Sequence, residues 1–329
     1  MAAGAARRTQ RLGASEMNGI RSILLPVAGS EYARSHDTLL MFILALTVIF
    51  FSLIAVLSVT FVWRYRRSRN QGPTPHMTHN TALELTWSII PGLILLVLFL
   101  WGLKGYIAAG VAPLDAMEIQ VTGKKWLWAF EYPNGARTIN EIHVPVGKPV
   151  KLVMTSEDVI HSFYIPTMRI KQDVLPGRYT ELWFTPTKAG MHQAFCAEYC
   201  GKSHSDMLAK IWVDEEAAYQ KWLEEGDEHT RTMPLKDLGR LIWENRGCST
   251  CHSLDGTRGQ GPSFKGIWGH AQKLADGKTV VVDANYIRES ILMPQAKIVA
   301  GYEPIMPTFQ GLLREREIQA VIEFIKSLQ

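Results

Sequence analysis

The stretch Cys196-Ala-Glu-Tyr-Cys200-Gly-Lys-Ser-His204-Ser-Asp-Met207 puts two thiols, one imidazole and one thioether within twelve residues, at spacings of four, four and three. Thiolates and thioethers are soft donors that select copper, zinc or iron–sulfur clusters, and imidazole suits copper and zinc. A structural zinc site remains open on ligand type alone. Met207 argues for copper, because a thioether is a poor zinc ligand and a familiar weak axial ligand of copper. A blue-copper centre uses a single thiolate, so two thiolates four residues apart point to sulfur atoms bridging a pair of coppers. A disulfide between them would leave the histidines without a task.

The missing nitrogen is offered by His161, in Ser156-Glu-Asp-Val-Ile-His161-Ser-Phe-Tyr-Ile-Pro166. Taken together, the pattern resembles the dinuclear copper (CuA) domain of subunit II of haem–copper cytochrome c oxidases. The resemblance implies a ligand set of His161, Cys196, Cys200, His204 and Met207, with Glu198 adding its backbone carbonyl. It also implies that the Glu198 carboxylate reaches a magnesium or manganese ion at the contact with subunit I. An exposed loop acid is the plainer reading of Glu198. Gly123-Lys-Lys-Trp126-Leu-Trp128-Ala-Phe-Glu-Tyr132 resembles the family's aromatic patch, whose first tryptophan, here Trp126, is where electrons enter; simple sheet packing is the alternative for both tryptophans. Lys171-Gln-Asp173-Val-Leu-Pro176-Gly-Arg178 resembles the segment that packs against subunit I, although Gln172 stands where the family has Met.

Around these motifs the residues from about Glu118 to Val213 form short alternating runs. Glu118–Val121, Trp126–Phe130, Val150–Met154, Tyr179–Phe184, Gln193–Phe195 and Met207–Val213 read as strands, separated by Pro133-Asn-Gly135, Pro176-Gly177 and Lys188-Ala-Gly190. Such spacing predicts an all-β sandwich. The resemblance implies a cupredoxin-like Greek-key fold over 112–214, with ligands on two loops, Ser156–Pro166 and Cys196–Met207.

Upstream, Leu39 to Trp63 is a run of 25 residues without a charge. At about 1.5 Å per residue it exceeds the ~30 Å hydrocarbon core of a bilayer. Arg64, Arg66, Arg67 and Arg69 mark that end as cytoplasmic. A loop with Pro73 and Pro75 leads to a second apolar run, Leu85 to Leu103, with Pro91 placed in its first turns. The two runs predict a transmembrane hairpin over 39–108, both ends on the outer face, after an N-terminal tail of 1–38 with no convincing signal peptide. Glu84, just before Trp87, reads as a solvated acid at a helix start. In Glu84-Leu-Thr-Trp87 the resemblance implies the entrance of a proton path into subunit I.

Downstream, the acidic residues 215–234 read as a helical turn and linker. Cys248-Ser-Thr-Cys251-His252 is the C-x-x-C-H signature of covalent c-type haem. Two thiols three apart add to the two vinyl groups of one porphyrin, and the adjacent imidazole ligates its iron. Met/His ligation raises the iron potential in cytochromes c. Met306, in Gly301-Tyr-Glu-Pro-Ile-Met306-Pro307, matches the axial methionine of class I cytochromes c, while Met293 is expected to end a helix and pack. Leu235–Arg246 and Glu315–Leu328 read as the crossing terminal helices of an all-α domain over 235–329, and Gly259-Gln-Gly-Pro262 resembles the loop that accepts the proximal histidine's other N–H.

Charge fits this division. Residues 1–111 hold ten basic and four acidic groups, 112–233 thirteen and seventeen, and 234–329 twelve and ten. No basic stripe interleaved with aromatics suggests nucleic acid, and all four cysteines fall in the two motifs. The resemblance covers nearly the whole chain from about residue 30 and joins an oxidase subunit II to a cytochrome c, as in caa-type oxidases. It implies a two-pass protein of the bacterial cytoplasmic membrane with both metal domains on the periplasmic face. Partners would be catalytic subunit I, a subunit III, and a donor such as a cytochrome c or a quinol–cytochrome c reductase. Electrons would run from haem c to CuA and on to subunit I, which reduces oxygen and pumps protons; this chain alone would not reduce oxygen. A CuA subunit of a nitric oxide reductase, a stand-alone tethered carrier and a zinc-stabilised haem sensor are the alternatives.

Overall fold

Two long apolar helices, α1 (Glu31–Arg64) and α2 (Thr81–Gly110), anchor the chain. A computed structural model describes residues 23–69, 72, 76–225 and 231–329; the arginine-rich start, Pro73 and Pro75, and part of the acidic linker lie outside these. None of the apolar stretch of either helix is buried inside the protein. Phe51 and Val62 are 71% and 74% exposed, for example. Side chains of this kind need an apolar surrounding, and helices of 34 and 30 residues are long enough to find it across a bilayer. The chain is membrane-anchored. Contact between the rings of Phe42 and Trp101, 5.7 Å apart, pairs the helices as a hairpin.

Both helices start earlier than the uncharged runs suggest. The hydroxyl of Ser30 caps α1 by accepting from the Ala33 N–H at 3.1 Å, and Asn80 caps α2 through Leu83. Pro91 therefore lies inside α2, not in its first turn. The polar first turns of α1 do not form a free tail: Gly29 donates to Thr167 O at 2.7 Å and Thr187 donates to Gly29 O at 2.8 Å. Asp37, fully buried, receives Nε of Arg169 at 2.9 Å and its Nη2 at 3.0 Å. This segment bolts the hairpin to the domain that follows.

That domain is a sandwich of ten strands: β1 (Met117–Lys124), β2 (Leu127–Glu131), β3 (Arg137–Ile139), β4 (Glu141–Pro145), β5 (Val150–Ser156), β6 (His161–Ile165), β7 (Ile170–Val174), β8 (Thr180–Phe184), β9 (Gly190–Cys196) and β10 (Leu208–Asp214). They form two five-stranded sheets, β3-β2-β1-β5-β8 and β4-β10-β9-β6-β7. Strand β5 alternates buried and half-buried residues along its length, as a sheet with one covered face must. Between the sheets lie Trp128, Phe130, Phe163, Phe184 and Met154, all nearly inaccessible. His161 is the first residue of β6, so one expected ligand loop is in part a strand. Strands β3, β4, β6 and β7 are not among the six runs read from the sequence: β3 has only three residues, β4 ends at Pro145, β6 lies in the stretch read as a ligand loop, and β7 is mostly polar.

The acidic segment after β10 is a ten-residue helix, α3 (Glu216–Glu225), laid on the sandwich. Trp222 stacks on His143 at 4.3 Å and Tyr219 donates to Met117 Sδ. Nine residues then lead to α4 (Leu235–Asn245), followed by the hairpin β11 (Ala271–Lys273) and β12 (Thr279–Val281), α5 (Ala284–Leu292) and α6 (Glu315–Lys326). Helices α4 and α6 cross at Gly239, where an added Cβ would fall 2.1 Å from Ala320 O. Met293 caps α5 as expected but is 56% exposed and does not pack.

One strand serves both domains. Trp128 and Phe130 of β2 point into the sandwich. Leu127 and Ala129, on the opposite face, join Ile139 in the core that contains Leu238, Ile242 and Ile318 of the helical domain. Leu127 through Phe130 are consequently buried on both sides.

Candidate copper and haem sites

Three elements bring the expected copper donors together at one end of the sandwich. Cys196 ends β9, His161 opens β6, and the loop from Ala197 to Met207 carries the rest. Sγ of Cys196 lies 3.7 Å from Sγ of Cys200 and 3.9 Å from Nδ1 of His161. Sγ of Cys200 lies 3.6 Å from Nδ1 of His204 and 3.8 Å from Sδ of Met207. The Glu198 carbonyl faces Cys196 Sγ at 3.3 Å. Both thiols and Met207 are buried, and His161 is fully so. His161, Cys196 and Cys200 form a group able to hold a metal ion.

This donor set fits copper: two soft sulfurs side by side, an imidazole nitrogen on each flank and a thioether beyond. The electrostatics separate the two thiols. Burial alone would raise Cys196, but the His161 ring and the backbone around Glu198 and Ser162 bring it down to about 6. Burial and the neighbouring Cys196 charge push Cys200 up to about 12. The pair therefore holds one proton near neutrality, which a metal must displace.

Asp158, quoted in the sequence but not singled out, orients the buried histidine. Its Oδ1 accepts from Nε2 of His161 at 2.8 Å and from the Val159 N–H at 2.6 Å, and its Oδ2 accepts from the Lys125 N–H at 2.8 Å. A carboxylate behind an imidazole fixes the tautomer, so that Nδ1 is left for the metal. The signal was Ser156-Glu-Asp158, a turn-forming cluster three residues before the histidine.

The two tryptophans have different roles. Trp128 is inaccessible and meets Phe163 edge to face at 4.8 Å. Trp126 lies against Gly201, its Nε1 donating to Cys200 O at 3.2 Å, and its other side lines the large apolar cavity of the helical domain. Glu84 lies far along the chain on α2, where its Oε1 accepts from the Asn80 N–H at 3.2 Å and completes a cap. Lys171 and Asp173 lie on β7, with Asp173 accepting from Ser162 Oγ at 2.8 Å.

The cavity fits a haem c. Cys248, Cys251, His252 and Met306 all line it, among apolar residues such as Phe264, Ile287, Ile291 and Val321. Nδ1 of His252 bonds Pro262 O at 2.7 Å, its ring stacks on Phe264 at 4.6 Å, and a Cβ on Gly261 would collide with it. Burial depresses the pKa of His252, only partly countered by the Pro262 carbonyl, which keeps the ring neutral and able to ligate iron. Burial raises Cys248 to about 12 and raises Cys251 as well.

Three family matches run along the chain in the same order: "Cytochrome C oxidase subunit II, transmembrane domain" over 19–104, "Cytochrome C oxidase subunit II, periplasmic domain" over 136–213 and "Cytochrome c" over 237–329. Cytochrome c oxidase subunit 2 of Cereibacter sphaeroides is 30% identical over 228 residues, covering 57% of this chain and 74% of the relative. The chain belongs to the cytochrome c oxidase subunit II family. Cytochrome c oxidase subunit 2 of Alkalihalophilus pseudofirmus is 29% identical over 310 residues, which are 89% of this chain and 87% of that one. The alternative cytochrome c oxidase subunit 2 of Bradyrhizobium diazoefficiens is 30% identical over 196 residues, 50% and 70% of the two chains. The subunit II and cytochrome c families imply copper and haem c in this chain, as part of an oxidoreductase complex.

Proposed function

We propose that this chain is the electron-intake subunit of an aerobic terminal oxidase, passing electrons from an external donor through haem c and a dinuclear CuA centre to the oxygen-reducing, proton-pumping subunit I. The observation that carries the reading is the convergence of four donor groups, from His161, Glu198, His204 and Met207, on the thiols of Cys196 and Cys200, with Trp126 joining that cluster to the haem cavity. When bound, the two groups supply one-electron carriers of matched location.

The residues have distinct tasks in this reading. Cys196 and Cys200 hold the copper pair with their sulfurs, His161 and His204 flank it, and Met207 with the Glu198 carbonyl completes the set. Cys248 and Cys251 tether the porphyrin, while His252 and Met306 face its iron. The sandwich holds these donors on fixed backbone and excludes water, so little has to move when charge changes. Glu198, through its carboxylate, would share a magnesium or manganese ion with subunit I, and Glu84 would stand at the mouth of a proton path. The arginines after α1 favour a cytoplasmic position for that end, which puts both metal domains on the outer face of the bacterial cytoplasmic membrane. A subunit III and a cytochrome c or quinol–cytochrome c reductase donor complete the assembly.

The test is spectroscopy on the purified oxidase. A c-type haem band beside a mixed-valence copper signal with seven-line hyperfine structure is expected, and Cys200→Ser should abolish the second while leaving the first. A single-copper signal in the wild type, or zinc in place of copper, would remove the relay.

A further inference from the structure

In a chain built from a copper domain and a cytochrome c domain joined by a linker, the second can work as a swinging arm or from a fixed position. The structure argues for the latter. Leu127, Ala129 and Ile139 of the copper domain are buried in the core of the helical domain. In return, Cys251 and Ile305, which flank His252 and Met306, pack against the copper-domain core. Trp126 is only 8% exposed and lines the haem cavity together with its neighbours Lys125 and Leu127. The cavity is thus incomplete without the copper domain.

Polar contacts fix the register of this joint. Gln260, one residue before the Gly261 that seats His252, donates its Nε2 to Oγ of Ser203 at 2.7 Å, one residue before His204. Arg246 donates to Ile139 O at 3.0 Å and pairs with Glu141 at 3.4 Å. Lys210 Nζ donates to Oδ1 of Asn245 at 3.0 Å. The connection adds to this. Because α3 is itself clamped to the sandwich through Trp222 and Tyr219, nine residues, 226–234, connect it to α4. They span at most about 30 Å fully extended. A tether of that length keeps the local concentration of the joint in roughly the millimolar range or above, where an apolar contact with several directed bonds stays closed.

We propose that the cytochrome c domain works from a permanent seat on the copper domain and does not leave it during turnover. The proposal rests on the relay described above. With both groups bound, the step concerned would move one electron from haem c, held by Cys248, Cys251, His252 and Met306, to the copper pair held by Cys196 and Cys200. An external donor must then reach the haem while the seat is closed.

A covalent lock tests this. Asn245→Asp puts a carboxylate beside the Lys210 amine, and a carbodiimide condenses the two into an amide with loss of water. Neither position touches a copper or haem donor. The assembled oxidase carrying Asn245→Asp, and wild type given the same reagent, are compared by mass spectrometry of the linked peptide and by oxygen uptake with an ascorbate-reduced soluble c-type cytochrome. The expected result is a Lys210-to-245 link in the variant alone, with uptake within about twofold of the treated wild type. Failure of the link to form overturns the seat. So does a formed link that cuts uptake about tenfold or more, since the domain must then move to work. Failure of the underlying relay looks different: in untreated wild type the haem is reduced and the copper pair never follows.

Discussion

The indole Nε1 of Trp126 donates to the backbone carbonyl of Cys200 at 3.2 Å, which makes a single hydrogen bond a direct link between the wall of the apolar cavity and one of the two clustered thiol residues. Gly201 makes the link possible. Its φ of +120° is a backbone conformation that other residues rarely adopt, and a Cβ there would press on the ring, 3.2 Å from Trp126 Cζ2. Gly201→Ala should cost more than about 1 kcal/mol from backbone strain alone and displace the ring. Trp126→Phe keeps the packing and removes the bond. Flash-induced electron transfer from haem c to copper should slow in both variants while the two optical spectra are retained. Unchanged transfer in Trp126→Phe would take Trp126 out of the route.

Asp158→Asn tests the carboxylate behind His161. Loss of an outer partner of this kind commonly costs about 10- to 100-fold in metal affinity, readable by competitive copper titration.

The same residue gives a pH signature in the metal-free chain. Burial raises the Asp158 carboxyl, but the bonds from His161, Val159 N–H and Lys125 N–H outweigh it and hold the pKa below its ordinary value. Its contribution is therefore present above the ordinary value near 3.9 and is lost as pH falls through the lower folded-state value. Burial lowers His161, but Asp158 and then Cys196 outweigh it and raise the pKa. That contribution is complete below about 6.5 and is lost as pH rises through the higher folded-state value. The stability deficit of metal-free Asp158→Asn, measured by urea unfolding, should thus be greatest between about pH 4 and 6.5. A deficit independent of pH would refute the ion-pair reading.

Asp37 and Arg169 make a buried pair between α1 and the sandwich, with side chains 0% and 6% exposed. Removing one partner strands the other, at about 3–5 kcal/mol. Asp37→Ala should therefore be far more damaging than the double variant Asp37→Leu/Arg169→Met, as judged by protease resistance of the copper domain in the membrane-anchored protein. Equal damage from both would mean that the charges themselves, not their pairing, are needed.

Gly239 lets α4 and α6 cross. A methyl there would sit 2.1 Å from Ala320 O and 2.6 Å from Phe324 Cβ, so Gly239→Ala forces the helices apart. Overpacking typically costs about 1–3 kcal/mol and sometimes more. Haem retention after mild heating should fall by more than the copper signal does.

The parts readable in the sequence were those where chemistry is local. Cys196 to Met207 and Cys248 to His252 each hold their donors in a few residues, and the length of Leu39–Trp63 alone calls for a membrane. The missed features depend on distant partners. Asp37 looked like part of a polar tail because Arg169 is 132 positions away. Strand β7 is mostly polar, Ile170-Lys-Gln-Asp-Val174, and is a strand because β6 lies beside it. Ser203 and Gln260 are unremarkable in sequence and meet only when the domains do. Leu127 and Ala129 belong with these: the run Trp126–Phe130 reads as a strand in sequence, but what covers its second face is another domain.

Strand β2, covered on both faces, also bears on how the protein melts. Its outward row of Leu127 and Ala129 is a greasy stripe the moment the helical domain unfolds or is trimmed away, so the two modules cannot denature independently at no cost. Heating the outer portion should give overlapping rather than well-separated transitions, and a version cut after Asp214 should tend to self-associate through that bared stripe.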